Sequence, residues 1–280
     1  LRLQDNPALQ AALDAGHDVV PVYIHAPQEE GEWMPGAASD AWRHRSLAAL
    51  DADLRARGSV LVVRAGDSLA ELQALIEETG AEAVYWNRKY EPATQPRDAA
   101  IKRTLREQGI DAQSCNGSLL FEPWDIATQQ GQPYKVFTPY WRNVLSHWRL
   151  PALQAAPKQL PAHTVDSLAL EALKLAPTLD WDTGFWEHWQ PGEAGALEAL
   201  SVFEDGALRG YREQRDLPDR VGTSRMSPHL HFGEIAPWRI AHALEGLRSA
   251  GTDADIDGYL RQLGWRDFAY HLLHHFPKTP

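Results

Sequence analysis

Residues 60–86 read VLVVRAGDSLAELQALIEETGAEAVYW, and their hydrophobic pattern contains a strand, a helix and a second strand. Val60–Val63 is a continuous apolar run of strand length, and Val84–Trp86 is a shorter one. Between them, a helix is predicted from Ser68 to near Gly80. Because a strand–helix–strand unit joins two parallel strands through a right-handed crossover, this stretch predicts a parallel sheet.

The same alternation continues on both sides of this unit. Upstream, Asp5 or Asn6 can cap a helix that has Pro7 in its first turn and ends at Gly16. The other elements predicted in this half are a strand at Val19–Ile24, a helix over 39–57, a helix over 96–108 and a short strand before Cys115. The fold class predicted is therefore α/β with a doubly wound parallel sheet, in which ligands bind beyond the carboxyl ends of the strands. No G-x-G-x-x-G follows any of these strands, so the dinucleotide fingerprint is absent.

The sequence pattern changes after residue 150. Prolines interrupt Ala- and Leu-rich pieces as far as residue 190, which is typical of a connection between domains. Beyond Pro191 the spacing is helical, with no convincing strand. The chain starts without methionine, at what reads as the exit of a strand, so we expect a fragment. The domains expected are an N-terminal α/β domain over 1–125 that lacks its first strand, an interdomain connector over 126–190 and an incomplete all-helical domain over 191–280.

Composition limits the class of protein. The net charge of −11 argues against a protein that coats nucleic acid nonspecifically, although five arginines from Arg209 to Arg225 leave room for local phosphate contacts. No apolar run reaches membrane-spanning length. Cys115 is the only cysteine, which excludes disulfide frameworks and Cys-ligated metal clusters in this segment and favours a reducing compartment. We expect a cytoplasmic monomer that does not contact membranes.

Two histidine pairs have the spacing of metal ligands, His229 with His231 and His271 with His275. No acidic residue completes either set convincingly. The sequence therefore predicts no metal site.

The run from Gly222 to Ile235, GTSRMSPHLHFGEI, has the composition of an anion site. Its candidate binding side chains are those of Thr223, Ser224, Arg225 and Ser227. Pro228 can open a helix, and a helix N-terminus together with hydroxyls and backbone N–H groups favours a phosphate or diphosphate. The alternative is that Ser227 is an ordinary N-cap that binds no ligand.

A second unusual run, Gln262 to Phe268 (QLGWRDF), falls on a helix predicted over about 255–275. Helical spacing places Tyr259, Gln262 and Arg266 on one face, and Trp265 lies next to that face. A flat aromatic ring beside an amide and a guanidinium suits a nucleobase, which needs both stacking and edge hydrogen bonds. The alternative is a core tryptophan with Arg266 in an ion pair.

Several runs resemble the DNA photolyase/cryptochrome family. They are YREQRDLP at 211–218, the run at 222–235, residues 259–277, LRLQDNPAL at 1–9 and PYKVFTPY at 133–140. Because these runs occur in the family's order over nearly the whole chain, chance similarity is implausible. The chain is identified by them as a member of that family.

The resemblance implies a flavoprotein that binds FAD and UV-damaged DNA. The residues that it implies for the FAD-binding domain are Tyr211, Thr223, Ser224, Arg225, Met226, Ser227 and Tyr259. The residues that it implies for DNA are Arg215 at a phosphate near the lesion, and Gln262, Trp265 and Arg266 at the flipped-out pyrimidine dimer. The implied activity is that of a deoxyribodipyrimidine photo-lyase: excited reduced FAD donates an electron to the dimer, the cyclobutane ring splits, and the electron returns. The family's catalytic residues are expected beyond Pro280.

Some positions depart from the family's common pattern. Many cyclobutane-dimer photolyases carry glutamate where this chain has Gln262, and glutamine is reminiscent of six-four photolyases. Positions that contact a folate antenna in some relatives read Ala93 and Thr94, which offer little to a pterin, so a folate, a deazaflavin or no antenna stays open. The alternative functions are a six-four photolyase, a cryptochrome-like blue-light receptor and an α/β nucleotide-binding module without flavin.

Overall fold

The computed structural model of the chain describes residues 1–278. The first part alternates helices and strands in the order α1 (Pro7–Asp14), β1 (Val22–His25), α2 (Ala37–Arg55), β2 (Val62–Ala65), α3 (Ser68–Thr79), β3 (Ala83–Asn87), α4 (Thr94–Glu107) and β4 (Asp111–Cys115). The second part contains α5 (Phe137–Ser146), α6 (Glu193–Asp205), α7 (Tyr211–Gln214), α8 (Ser227–His231), α9 (Pro237–Glu245) and α10 (Asp253–His275). Short 3-10 segments lie at Pro27–Trp33, Leu170–Leu173 and Thr183–Phe185.

Local capping chemistry sets the ends of the first helices. The Asn6 side chain accepts a hydrogen bond from the Leu9 N–H at 3.2 Å, and Pro7 lies in the first turn of α1, as the sequence predicted. Helix α3 begins after Asp67, whose carboxylate accepts from the Ala70 N–H at 2.9 Å. The same helix ends at Gly80, which has the left-handed φ of +69° that glycine adopts without strain.

The four strands are parallel, which confirms the α/β class predicted from the sequence. Strand β1 pairs with β2 in the register Val22 to Val62, and β3 pairs with β4 in the register Ala83 to Asp111. The strands form two separate two-stranded sheets, whereas one continuous sheet was expected. Among residues 1–278, no strand joins β1 to β3.

The largest hydrophobic core belongs to the helical part. It joins α5, α6, α9 and α10, and it includes Phe137 and Trp141 from α5 and Phe268 from α10. Helices α5 and α10 approach so closely at Gly264 that a Cβ there would lie 2.4 Å from the Trp141 ring. Helix α5 lies inside the predicted connector of residues 126–190, yet it packs in the core of the helical part. The proposed domain limits themselves stay predictions.

Buried polar contacts join the two parts of the chain. The Glu193 carboxylate accepts hydrogen bonds from the backbone N–H groups of Leu3 and Gln4, at 2.8 and 3.0 Å. Arg239 on α9 forms an ion pair with the buried Asp5. Because these groups are buried and paired, the start of the chain is held against the helical part. None of the helices in residues 1–278 has the length and apolar character needed to cross a bilayer.

Candidate functional site

The loop between α7 and α8 brings the predicted anion-binding residues together. At Gly222 the loop packs against the end of α7, where an added Cβ would lie 2.5 Å from the Gln214 carbonyl oxygen. Only glycine therefore permits this close approach. The next residues alternate in burial: Met226 is buried, Ser224 is half-buried, and Thr223, Arg225 and Ser227 are exposed.

One hydrogen bond fixes this loop to helix α10. The hydroxyls of Ser224 and Tyr259 lie 2.8 Å apart, and the Met226 N–H donates to the Ser224 oxygen at 3.3 Å. Tyr259 is buried, and burial raises the pKa of its phenol above the ordinary value, so the group stays protonated at neutral pH. The Tyr211 ring packs edge-on against the Tyr259 ring, with 5.2 Å between centroids. Four residues that the family resemblance implied for flavin binding, Tyr211, Ser224, Met226 and Tyr259, are thus linked by a chain of contacts.

The prediction that Ser227 is the N-cap of a helix was wrong. Helix α8 begins at Ser227, its N-cap is Met226, and no side chain caps it, because Met226 already has helical φ and ψ of −77° and −13°. Within residues 1–278, the exposed hydroxyls of Thr223 and Ser227 donate to no protein group. The exposed Arg225 guanidinium lies 5.7 Å over the Trp189 ring, on a backbone with a φ of +54°. These hydroxyl donors and this cation fit the oxygen-rich diphosphate of a dinucleotide.

Arg215 lies just after α7, beside this loop. Its guanidinium is 5.8 Å over the Tyr211 ring and 3.5 Å from the exposed Asp216 carboxylate. The side chain is about one-third exposed. A solvent-exposed ion pair of this kind contributes little to stability. The phosphate contact predicted for Arg215 stays a prediction.

Trp265 forms a stacking surface on helix α10. Its indole lies parallel to the Phe137 ring, with 3.7 Å between centroids and 10° between planes, and 44% of the residue is exposed. The Arg261 guanidinium lies 4.8 Å over the Phe137 ring. Gln262, one turn before Arg266, is half-buried, and no protein group within residues 1–278 hydrogen-bonds to its amide. Sequence reasoning missed the support from Phe137, although the PYKVFTPY run that contains it had been noticed.

Arg266 is held at the junction of the two parts of the chain. Its Nη1 donates to the Ser118 carbonyl oxygen at 2.6 Å, and its Nη2 to the Leu230 carbonyl oxygen at 3.5 Å. The guanidinium also lies 5.1 Å over the Tyr270 ring. Arg266 and Trp265 therefore point to different surroundings, and the lesion contact predicted for Arg266 stays a prediction.

Asp267 is a buried carboxylate that the sequence pattern did not reveal. Its Oδ2 accepts from the backbone N–H groups of Leu120 and Phe121, at 2.7 and 3.1 Å. Its Oδ1 has no hydrogen-bond partner and lies 3.7 Å from Arg266 Nη1. Burial raises the pKa of Asp267 to about 7, and the nearby Arg266 and the two N–H groups offset only part of this rise. The only indication in the sequence that this carboxylate is buried is that it is a charged residue in an apolar stretch of helix.

Three of the four histidines in the predicted pairs contact polar groups of the protein. His229 Nδ1 lies 2.5 Å from the buried Glu234 carboxylate, which also accepts from the Trp42 indole N–H at 2.8 Å. His271 and His275 each contact the Pro123 carbonyl oxygen, at 2.9 and 3.0 Å. No cluster of three possible metal ligands occurs in the part of the chain that the structure describes.

Comparison with known proteins agrees with this geometry. The family model for DNA photolyase matches residues 1–162. The deoxyribodipyrimidine photo-lyase of Agrobacterium fabrum is 44% identical over 281 residues, covering 99% of this chain and 58% of that protein. Cryptochrome-1 of Arabidopsis thaliana is 33% identical over 99% of this chain and 42% of its own length. The crystal structure of a bacterial class III photolyase from Agrobacterium tumefaciens matches with a TM-score of 0.93, at 44% identity, over 99% of this chain and 57% of that one.

The parallel strands followed by helices, together with these similarities, place the chain in the photolyase and cryptochrome class. The chain belongs to the DNA photolyase family. It spans little more than half the length of the Agrobacterium relatives, 58% and 57% in the two comparisons.

Proposed function

We propose that this chain is part of a deoxyribodipyrimidine photo-lyase, which repairs UV-induced pyrimidine dimers in DNA with light and reduced FAD. The observation that carries the proposal is the Trp265 indole, supported from below by Phe137 and 44% exposed. A core tryptophan would be buried, whereas an exposed ring backed by a second ring suits stacking with a base. The 44% identity to a deoxyribodipyrimidine photo-lyase supports the same activity.

We propose that the loop after α7 binds the FAD diphosphate and adenosine side. Its contributors are Tyr211, Thr223, Ser224, Arg225, Met226, Ser227 and Tyr259. When bound, the flavin supplies the excited-state electron donor for dimer splitting. The chain contributes the Arg225 charge and the Thr223 and Ser227 hydroxyls as diphosphate partners, while Tyr259 holds Ser224 in place.

The DNA side of the proposal uses residues on α7 and α10. Trp265 stacks on the bases of the extruded dimer, and the Gln262 amide is positioned to hydrogen-bond to a base edge. Arg215 binds a phosphate near the lesion, which positions the strand without reading its sequence. Arg266 is proposed to face the dimer as well, and its bonds to Ser118 and Leu230 also hold α10 against the first half of the chain. A net charge of −11 is compatible with this binding, since the phosphate contacts are local.

An antenna chromophore, a folate or a deazaflavin, belongs to the same proposal. Thr94 is buried and its hydroxyl donates to the Glu91 backbone carbonyl at 3.2 Å, so it has little to offer a pterin. Extraction of the chromophores from the purified protein, followed by absorption spectroscopy and mass spectrometry, distinguishes the two candidates from no antenna.

The test uses the protein expressed from its own gene, under blue light, with one oligonucleotide that bears a cyclobutane dimer and one that bears a six-four product. We expect repair of the cyclobutane dimer, and we expect Trp265→Ala to weaken lesion binding by about tenfold or more. Trp181→Ala is the matched control, because Trp181 is 43% exposed but lies in the connector. An equal loss in both variants would contradict the stacking role of Trp265.

The remaining outcomes separate the other candidate functions. Repair of the six-four product alone would identify a six-four photolyase and would agree with Gln262 at this position. Repair of neither lesion by a flavin-bound protein would favour a blue-light receptor, which the 33% identity to Cryptochrome-1 supports as the second candidate. A protein purified gently without flavin would favour a nucleotide-binding module of another kind.

A further inference from the structure

A cluster of aromatic side chains joins α2 to the loop that carries Arg225. The Trp42 indole, from α2, stacks on the Phe232 ring, with 5.8 Å between centroids and 13° between planes. The Trp189 ring meets Trp42 edge-on at 5.6 Å, and the His229 ring of α8 does so at 5.3 Å. The cluster therefore combines side chains from the α/β part, from the segment before α6 and from the helix that follows the loop.

A buried carboxylate fixes the Trp42 ring in this cluster. The Glu234 Oε1 accepts a hydrogen bond from the Trp42 indole N–H at 2.8 Å, and its Oε2 lies 2.5 Å from His229 Nδ1. Both oxygens of the carboxylate thus have a partner, as a buried polar group requires. Because all three side chains are buried, the Trp42 indole is held in one orientation.

The backbone places Trp189 beside Trp42. The Trp189 N–H donates to the Phe185 carbonyl oxygen at 3.0 Å, which closes a turn. Three residues later the chain passes so close to α2 that a Cβ at Gly192 would lie 2.7 Å from the Ala49 Cβ. Gly192 also has a φ of +104°, which residues with a side chain rarely adopt. The position of Trp189 is therefore set by the close approach of its segment to α2.

The Arg225 side chain lies on the exposed face of Trp189. Its neighbours in the loop are fixed elsewhere, because Ser224 is bonded to Tyr259 and Met226 is buried. The Arg225 guanidinium is 5.7 Å over the Trp189 ring, and its backbone has a φ of +54°. This left-handed conformation costs free energy in an arginine and persists where surrounding contacts hold it. In the part of the chain that the structure describes, no carboxylate forms an ion pair with Arg225.

A guanidinium that lies over an aromatic ring keeps its hydrogen-bond donors available. The ring attracts the positive charge through its face, whereas the N–H groups of the guanidinium lie in the guanidinium plane. Bidentate binding of a phosphate uses these in-plane N–H groups. The contact with Trp189 thus restricts the rotamers of Arg225 without occupying its donors. Less conformational entropy is then lost when a ligand binds.

We propose that Trp189 is a positioning residue that orients Arg225 towards the FAD diphosphate, and that Trp42, fixed by Glu234, holds Trp189 in place. The inference rests on the proposed function of the loop between α7 and α8. It adds to that function a contribution from α2 and from the segment before α6. Trp189 needs no contact with the flavin for this role, because it acts through Arg225.

The test is a double-mutant cycle on FAD affinity, measured from flavin fluorescence in the protein expressed from its own gene. We expect Trp189→Leu to weaken FAD binding by about fivefold, because it removes the cation–π contact. Arg225→Ala should weaken it by about tenfold or more, because it removes charge-assisted hydrogen bonds. The double variant should match Arg225→Ala to within about twofold. Trp189→Tyr keeps an aromatic face and should bind FAD to within about twofold of the parent.

Trp186→Leu is the matched control. Trp186 is also half-buried and packs against Trp42, but the cation over its ring is Arg45, at 4.1 Å, and not Arg225. This variant should change FAD affinity by less than about twofold. An equal loss in Trp186→Leu and Trp189→Leu would assign the effect to the aromatic cluster as a whole and would overturn the positioning role.

Other results would overturn the proposal in distinguishable ways. Unchanged FAD affinity in Arg225→Ala would contradict the diphosphate role of Arg225 itself, which belongs to the proposed function. A loss in Arg225→Ala with additive losses in the double variant would overturn only the positioning by Trp189. A measurement on the unaltered protein holds even if a variant does not fold. The ring current of Trp189 should move the side-chain proton resonances of Arg225 upfield in NMR spectra, and resonances at ordinary positions would also overturn the proposal.

Discussion

Replacing Asp267 with asparagine should remove most of the fall in the free energy of unfolding that we expect between about pH 4 and about pH 7. The carboxylate is 3% exposed and accepts two backbone N–H groups through Oδ2, while Oδ1 has no hydrogen-bond partner. Asparagine keeps a carbonyl oxygen for Leu120 and Phe121 but carries no charge. The substitution therefore isolates the cost of burying the ionised form.

The magnitude follows from the two pKa values. Burial raises the pKa of Asp267 from 3.8 to about 7, a rise of about three units, and each unit corresponds to about 1.4 kcal/mol. Between these pKa values the folded state binds more protons than the unfolded state. The free energy of unfolding therefore falls as the pH rises from about 4 to about 7, by up to about 4 kcal/mol. Below pH 4 both states are protonated, so the stabilisation is fully present there.

The assay is urea unfolding followed by tryptophan fluorescence at about pH 5, 6, 7 and 8. We expect Asp267→Asn to flatten the slope between pH 5 and pH 7, to differ least from the parent at pH 5 and to be the more stable protein at pH 8. Asp255→Asn is the control, because Asp255 is on the same helix and accepts from the backbone N–H groups of Gly210 and Arg212 but is only half-buried. A parent-like slope in Asp267→Asn would refute the assignment of the pH dependence to this carboxyl.

Three further predictions concern the helical half. Gly264→Ala places a methyl group 2.4 Å from the Trp141 ring, so we expect a loss of about 1–3 kcal/mol in thermal unfolding, and an unchanged melting temperature would contradict this. Tyr259→Phe removes the 2.8 Å bond to Ser224, so we expect about 1 kcal/mol lower stability and loss of flavin during gel filtration, and full flavin retention would argue against this role. Trp265→Ala should weaken binding of dimer-containing DNA in fluorescence anisotropy while leaving binding of undamaged DNA nearly unchanged, and equal weakening of both would indicate a general DNA contact.

Local chemistry made much of the α/β half predictable. Helix α1 begins at the Asn6 cap, and α3 ends at Gly80, because side-chain capping and a left-handed glycine act within a few residues. The apolar runs that contain Val22 and Val62 form strands, because a short continuous apolar run is typical of a strand in a parallel sheet. The division into two strand pairs could not be read from the runs, because pairing depends on residues far apart in sequence.

The candidate site was predictable only in part. The Thr223–Ser227 hydroxyls were visible in the sequence, but the bond that links Ser224 to Tyr259 joins positions 35 residues apart. The support of Trp265 by Phe137 likewise depends on how α5 crosses α10, which Gly264 permits. Helix periodicity describes one helix at a time, so contacts between helices lie outside what it can predict.

Three consecutive residues of α10 have different tasks because successive helical residues point about 100° apart. Trp265 is exposed on the Phe137 ring, Arg266 reaches the Ser118 carbonyl oxygen, and Asp267 is buried under Leu120. The last two contacts tie the helix to the segment after β4. The position of the stacking surface is therefore set by the α/β half of the chain as well as by the helical core.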